Sequence, residues 1–229
     1  VGSGVKEMVK PLVYVALGDS LTEGFGVSEE ESFAAVFSKR MEEAIGRPVI
    51  LHNAGVTGET LGDILHRLRT DDYLRVVIRE AELLSLTAGG NDLLQAARVF
   101  LAKRDPQVLR NALREFHGRT AEFFGELEQI RSEYASAAEK PLEMRILNLY
   151  NPFPMFEETG YWVGRFNKVW QRYETPQIRI VDIYEAFIYR IDDLIGEDMV
   201  HPNALGYRVM AEAVHFLGYG GIDRRDDAS

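Results

Sequence analysis

The chain has 229 residues, a formal net charge of −10, 46% hydrophobic and 27% charged residues, and no cysteine. Its length and apolar content suit one globular domain with a core of its own, and the missing cysteine excludes disulfides and thiolate chemistry. The acidic balance, with no Lys/Arg-rich block, argues against a nucleic-acid partner, and no apolar run approaches the length of a bilayer span, so no stable membrane anchor is expected.

Val1-Gly2-Ser3-Gly4 reads as a leftover of cloning or a trimmed start, and residues 1–10 as a flexible lead-in. No signal-peptide pattern is visible, which leaves the location open between cytoplasm and export. The first apolar run, residues 12–17, is the first predicted strand and breaks at Gly18-Asp19-Ser20. Residues 30–45 carry Phe33, Val36, Phe37, Met41 and Ile45 on one helical face, with Gly46 as a stop. Residues 49–54 are the second strand, residues 60–80 one broken helix or two short ones, and residues 83–88 the third strand, which stops at Gly89-Gly90-Asn91-Asp92. Residues 93–139 look helical with a boundary at Pro106. Residues 145–150 are the fourth strand, 151–161 a loop rich in Pro and aromatics, 177–183 the fifth strand, and 203–217 the closing helix. Residues 223–229 read as a frayed tail. Strands alternating with helical stretches predict an α/β fold, a three-layer α/β/α sandwich on about five parallel strands. No repeat or linker divides it, so residues 1–229 are read as one domain.

In open parallel sheets ligands bind beyond the carboxyl ends of the strands. Four polar blocks fall at predicted strand ends or just before the last helix: Gly18-Asp19-Ser20-Leu21, Asn53-Ala54-Gly55-Val56-Thr57-Gly58, Gly89-Gly90-Asn91-Asp92 and Asp198-Met199-Val200-His201-Pro202-Asn203. Each alone has an ordinary explanation as a turn or a helix cap. Together they hold what acyl transfer requires. Ser20 supplies a hydroxyl at a tight turn. His201 is a base that titrates near neutral pH. Asp198, three residues earlier, is placed to orient the imidazole; Asp19, Asp192 and Asp193 are the other acids considered. The backbone N–H groups of Ser20 and Gly58 and the amide of Asn91 are the candidate oxyanion donors. Asn53, Asp92 and Asp19 read as supports that hold these turns.

At these residues the sequence resembles the SGNH/GDSL hydrolase superfamily. Ser20 matches the nucleophile block, Gly58 the second-block glycine, Asn91 the third-block asparagine and His201 the base in Asp198-x-x-His201-Pro202. The segment Tyr150-Asn151-Pro152-Phe153-Pro154 is similar to the form found in bacillar-type lipases and acylhydrolases. One departure is Thr57, where many members have Ser. The resemblance implies a flavodoxin-like α/β/α fold and cofactor-free ester hydrolysis through an acyl-enzyme on Ser20. There is no Gly-x-Ser-x-Gly elbow, and no zinc helix or clustered ligand set is evident, so no metal is expected. His52, His66, His117 and His215 read as structural or surface residues.

The expected partner is a small-molecule ester; oligomeric state is left open. Leu21, Phe153, Phe156 and Trp162, with Phe25, Leu93, Leu94, Met155 and Tyr161 nearby in sequence, are candidate walls for an acyl groove or plain packing residues. A groove would favour short-to-medium acyl esters or lysophospholipids. The alternatives are a carbohydrate O-deacetylase and a non-catalytic binding module on the same fold.

Overall fold

The computed structural model describes residues 9–133 and 141–223. The expected loose start at residues 1–8, the tail at 224–229 and the last part of the 93–139 helical stretch lie outside the described residues.

Five strands, β1 (Leu12–Gly18), β2 (Val49–Gly55), β3 (Leu83–Thr87), β4 (Glu143–Leu147) and β5 (Ile178–Val181), form one parallel sheet in the order β2-β1-β3-β4-β5. Strand order reverses beside β1, which therefore ends at the crevice where doubly wound sheets bind ligands. β1 is buried on both faces because side chains alternate. Leu12, Tyr14 and Ala16 enter a core with Phe33, Phe37, Met41, Tyr207, Met210 and Val214. Val15 and Leu17 enter the opposite core with Leu61, Ile64, Phe116, Phe123 and Trp170. Cover on both faces explains why β1 reads as a continuous apolar run.

The helices begin and end where local chemistry dictates. Ser20–Glu23 is a one-turn helix, α1, capped by Asp19. The predicted helix at 30–45 splits: Glu29–Glu31 make a 3₁₀ turn, and α2 (Phe33–Ile45) starts after Ser32, whose hydroxyl accepts from the Ala35 N–H. The 60–80 stretch is two helices, α3 (Leu61–Thr70) and α4 (Asp72–Glu80), because Asp71 caps the second. Pro106 separates α5 (Gly90–Lys103) from α6 (Gln107–Ser132) as expected.

Three further boundaries differ from the sequence reading. The expected fourth strand ends at Leu147, because the backbone N–H and C=O of Leu149 leave the sheet and pair with the Asn167 amide, both at 2.8 Å. The fifth strand ends at Val181, because Asp182 caps the short helix α8 (Ile183–Ile188). The loop expected over 151–161 stops at Phe156, and Glu157–Gln171 form helix α7 with Val163, Phe166, Val169 and Trp170 facing the core. After α9 (Ile191–Leu194), the loop leads to α10 (Ala204–Phe216), whose cap Asn203 accepts from the Gly206 N–H.

At the far end of the sheet, buried Glu143 and Arg145 tie down the segment after α10. Arg145 donates to the Gly218 carbonyl at 2.8 Å, and Glu143 accepts from the Gly221 N–H at 2.8 Å. No helix among the described residues is long and apolar enough to cross a membrane.

Candidate active site

β1 delivers its last residue, Gly18, to a turn in which Asp19 caps α1 by accepting from the Leu21 N–H at 3.0 Å. Ser20 is the first residue of α1, and a helix's first N–H groups have no partner within the helix. Its N–H therefore makes no bond within the helix. Most of the residue is buried, at 6% exposure.

The Asp198–His201 loop comes in from the other side of the sheet end. It is closed by an antiparallel bridge between Ile195 and Pro202 and by the Gly196 N–H donating to the His201 carbonyl at 2.7 Å. Met199 sits in the left-handed region at φ 61, which tightens the turn. Within it Asp198 works with both oxygens. Oδ1 accepts from the N–H groups of Val200 and His201 at 3.0 and 2.9 Å, and Oδ2 meets His201 Nδ1 at 2.5 Å. The other ring nitrogen, Nε2, lies 2.9 Å from Ser20 Oγ, across 181 positions of sequence. Hydroxyl, imidazole and carboxylate form one continuous hydrogen-bonded line. A carboxylate on Nδ1 fixes the tautomer that leaves Nε2 free to take a hydroxyl proton.

Tertiary contacts brace the two turns. Tyr207 of α10 donates to the carbonyl of Phe25 at 3.0 Å and reaches that of Ser20 at 3.4 Å. Tyr150, three residues beyond β4, donates to the Val200 carbonyl at 2.5 Å. The Phe25 ring lies 4.5 Å from the His201 ring, centroid to centroid.

Electrostatics divide the two acids nearby. Burial tends to raise the Asp198 carboxyl, but the His201 ring, with the N–H groups of His201 and Val200, outweighs it and holds it down at about 2. Burial pushes the Asp19 carboxyl up to about 6 against the pull of Thr87 and the Leu21 N–H.

The second and third blocks reach the same edge. The Val56 N–H donates to the Gly18 carbonyl at 2.9 Å, and Asn91 Nδ2 donates to the Glu59 carbonyl at 2.9 Å. Gly58 lies between those anchors, exposed, with φ +88, a conformation that favours glycine. An amide nitrogen carries two hydrogens, so the Glu59 bond leaves Asn91 one more to donate. Asn53 donates to the Thr22 carbonyl at 2.9 Å, clamping β2 to α1. Asp92 accepts from the Leu61 N–H at 2.9 Å and lies 3.6 Å from Arg119, tying α3 to α5.

Residues 16–209 match the GDSL-like Lipase/Acylhydrolase family. The chain belongs to that family. It is 33% identical over 214 residues to the spore germination lipase LipC of Bacillus licheniformis, covering 93% of this chain and 99% of that protein. Among solved structures, the lipase Lip_vut3 from a goat rumen metagenome superposes with a TM-score of 0.84 at 31% identity, over 92% of this chain and 99% of that one. The acetylxylan esterase Axe2 of Geobacillus stearothermophilus is a likeness of fold, with a TM-score of 0.62 at 16% identity over 93% of this chain and 96% of that one. This GDSL hydrolase is a carboxylic ester hydrolase.

A cavity of about 600 Å³ flanks the imidazole of this GDSL hydrolase. Phe25, Glu31, Glu197, Asp198 and His201 are among its walls. The four proposed groove residues lie elsewhere. Leu21 packs on the core that holds Phe33 and Tyr207. Phe153 and Trp162 are half-buried, and Phe156 is exposed at the start of α7. Of the wider aromatic set only Phe25 reaches the cavity wall. His52, His117 and His215 bond Tyr73, Arg172 and Tyr219, away from Ser20. The parts played by Thr22, Thr87, Tyr150 and Tyr207 escaped the sequence reading. Thr22 directly follows the Gly18–Leu21 block and Tyr150 opens the Tyr150–Pro154 segment, but their roles depend on contacts between distant elements.

Proposed function

We propose that Ser20 is the nucleophile of this ester hydrolase, His201 its general base and acid, and Asp198 the group that orients and charges the imidazole. His201 Nε2 takes the Ser20 proton as Oγ attacks the ester carbonyl. The Ser20 and Gly58 N–H groups and the free hydrogen of the Asn91 amide receive the oxyanion. The imidazolium then protonates the departing alkoxide, and the acyl-enzyme is hydrolysed by a water that His201 deprotonates. The scheme uses no cofactor. The observation that carries it is the unbroken line from Asp198 Oδ2 through His201 to Ser20 Oγ.

For the acyl side we favour short-to-medium chains, with lysophospholipids among the esters to try. The Tyr150 bond to Val200 sets the start of the β4–α7 loop against the His201 turn. For the alcohol side, Nε2 must reach the leaving oxygen. The cavity beside His201 is then the natural room for the leaving group, and Glu31, Glu197 and Asp198 on its wall disfavour an anionic one.

Two measurements test this. A fluorophosphonate probe should label Ser20, and Ser20→Ala should lower kcat by on the order of 10⁴ or more. A profile over p-nitrophenyl esters of rising chain length should peak beyond acetate. Full activity in Ser20→Ala would end the scheme, and activity on acetate alone would favour a deacetylase.

A further inference from the structure

We propose that Thr87, at the end of β3, is a positioning residue for the reaction: its hydroxyl fixes the turn that presents Ser20 and holds Asp19 as the carboxylate that supports the charge gained by His201. The proposal rests on the reading of Ser20 and His201 as nucleophile and base.

The geometry is a small buried network. Parallel pairing sets Thr87 opposite Gly18. From there Thr87 Oγ1 donates to Asp19 Oδ1 at 2.8 Å and accepts from the Asp19 N–H at 3.3 Å. It also lies 2.8 Å from Thr22 Oγ1, whose one hydrogen is shared between Thr87 and the Leu17 carbonyl at 3.2 Å. The oxygen that Thr87 binds also caps α1 through the Leu21 N–H. One hydroxyl therefore grips the side chain and main chain of the residue before the nucleophile, and reaches into α1 itself. Asp19, Thr22 and Thr87 are 3%, 0% and 2% exposed, so water does not replace a lost partner cheaply.

The chemistry follows from what surrounds Asp19. His201 is the basic group that acts on its charge, and Tyr150 and Tyr207 are the titratable hydroxyls that feel it. Both phenols are held protonated, by burial first and then by the acids around them. When His201 takes the Ser20 proton it becomes a cation, and an ionised Asp19 stabilises that state over the neutral one. Burial works against ionisation of Asp19, and the Thr87 hydroxyl works for it. Removing the hydroxyl should both loosen the turn and leave Asp19 protonated to higher pH.

The test is Thr87→Val beside Thr87→Ser, read as kcat and KM along the acid limb of the pH–rate profile. Thr87→Val should lose about tenfold in kcat, with KM within about twofold, and its acid limb should move to higher pH. Thr87→Ser should restore both. Should the valine variant not fold, Thr87→Cys keeps the volume with only a weak donor and should show the same loss. A wild-type kcat in the hydroxyl-free variant overturns the proposal. So does a loss that serine does not restore, or one with an unmoved acid limb. Ser20→Ala in the same assay separates these outcomes from failure of the underlying scheme, because that variant alone tests the nucleophile.

Discussion

Two turns meet at Ser20, and each carries a carboxylate whose surroundings push it the opposite way. Asp198 keeps a side chain 41% exposed and is bound by an imidazole and two backbone N–H groups. Asp19 is 3% exposed and bound by a threonine hydroxyl and a helix-capping N–H. Donors win at the first, so its carboxyl sits at about 2; burial wins at the second, which is lifted to about 6. An exposed, well-bonded acid stays charged whatever the working pH. A buried one becomes charged at a cost to the fold.

The strongest way to break this contrast is Asp198→Asn. The amide keeps the shape of the turn but places an N–H opposite Nδ1 or forces the other tautomer, so Nε2 no longer accepts the Ser20 proton. We expect kcat to fall by about 10³–10⁴ with a small change in KM, measured on a short-chain p-nitrophenyl ester. In the wild type, Asp198 has a folded value depressed below 3.8. Its contribution to stability is therefore present above that ordinary value and lost as pH falls towards about 2. An Asp198→Asn enzyme with wild-type kcat would move the orienting role to another acid.

Half of this comparison was legible in the sequence. Asp198 and His201 share one short block, so their pairing follows from local spacing. The strands were legible because β1 and β3, covered on both faces, are largely apolar, and the others keep short apolar stretches. Asp19 was visible as a neighbour of Ser20, but its partner Thr87 lies 68 positions away, and only the register of β1 on β3 brings them together. Tyr207 and Tyr150 are of the same kind: nothing local marks their hydroxyls, which the fold aims at the carbonyls of Phe25 and Val200. Helix α7 was missed because Pro152 and Pro154 dominate its approach and Gly160 and Gly164 weaken its helical signal. Its stripe of Val163, Phe166, Val169 and Trp170 was the available clue.

The contrast sharpens with Asp19→Asn, where stability and activity should move apart. The folded value of Asp19 is raised from 3.8 to about 6. The unfolded chain releases this proton first, so the folded state loses ground as pH rises between those two values and carries the full penalty above them. Asparagine keeps an acceptor for Thr87 and removes the penalty. Denaturant melts should show a gain of roughly 1–3 kcal/mol near neutral pH that vanishes near pH ~4, while kcat drops about tenfold. Equal stability at both pH values would mean that Asp19 titrates as an ordinary surface acid.

The smallest effect concerns the cavity on the imidazole side of the line. Its acidic wall includes Glu31, whose carboxylate the Ser28 N–H and hydroxyl hold in its charged form, and Glu197 on the exposed loop before Asp198. Arg208 acts on Glu31 and offsets part of that field, which leaves Glu197 as the better lever. Reversing its sign with Glu197→Lys should raise kcat/KM for an ester with an anionic leaving group by about threefold at low ionic strength. A neutral leaving group of the same size should be unaffected. The gain should fade as salt rises, because an exposed charge acts through a screened field. The mutation leaves Ser20, His201 and Asp198 in place, so a change confined to one class of leaving group cannot come from damage to the proton relay. If both classes of ester respond alike, or neither does at any salt concentration, the departing alcohol leaves by another face of His201.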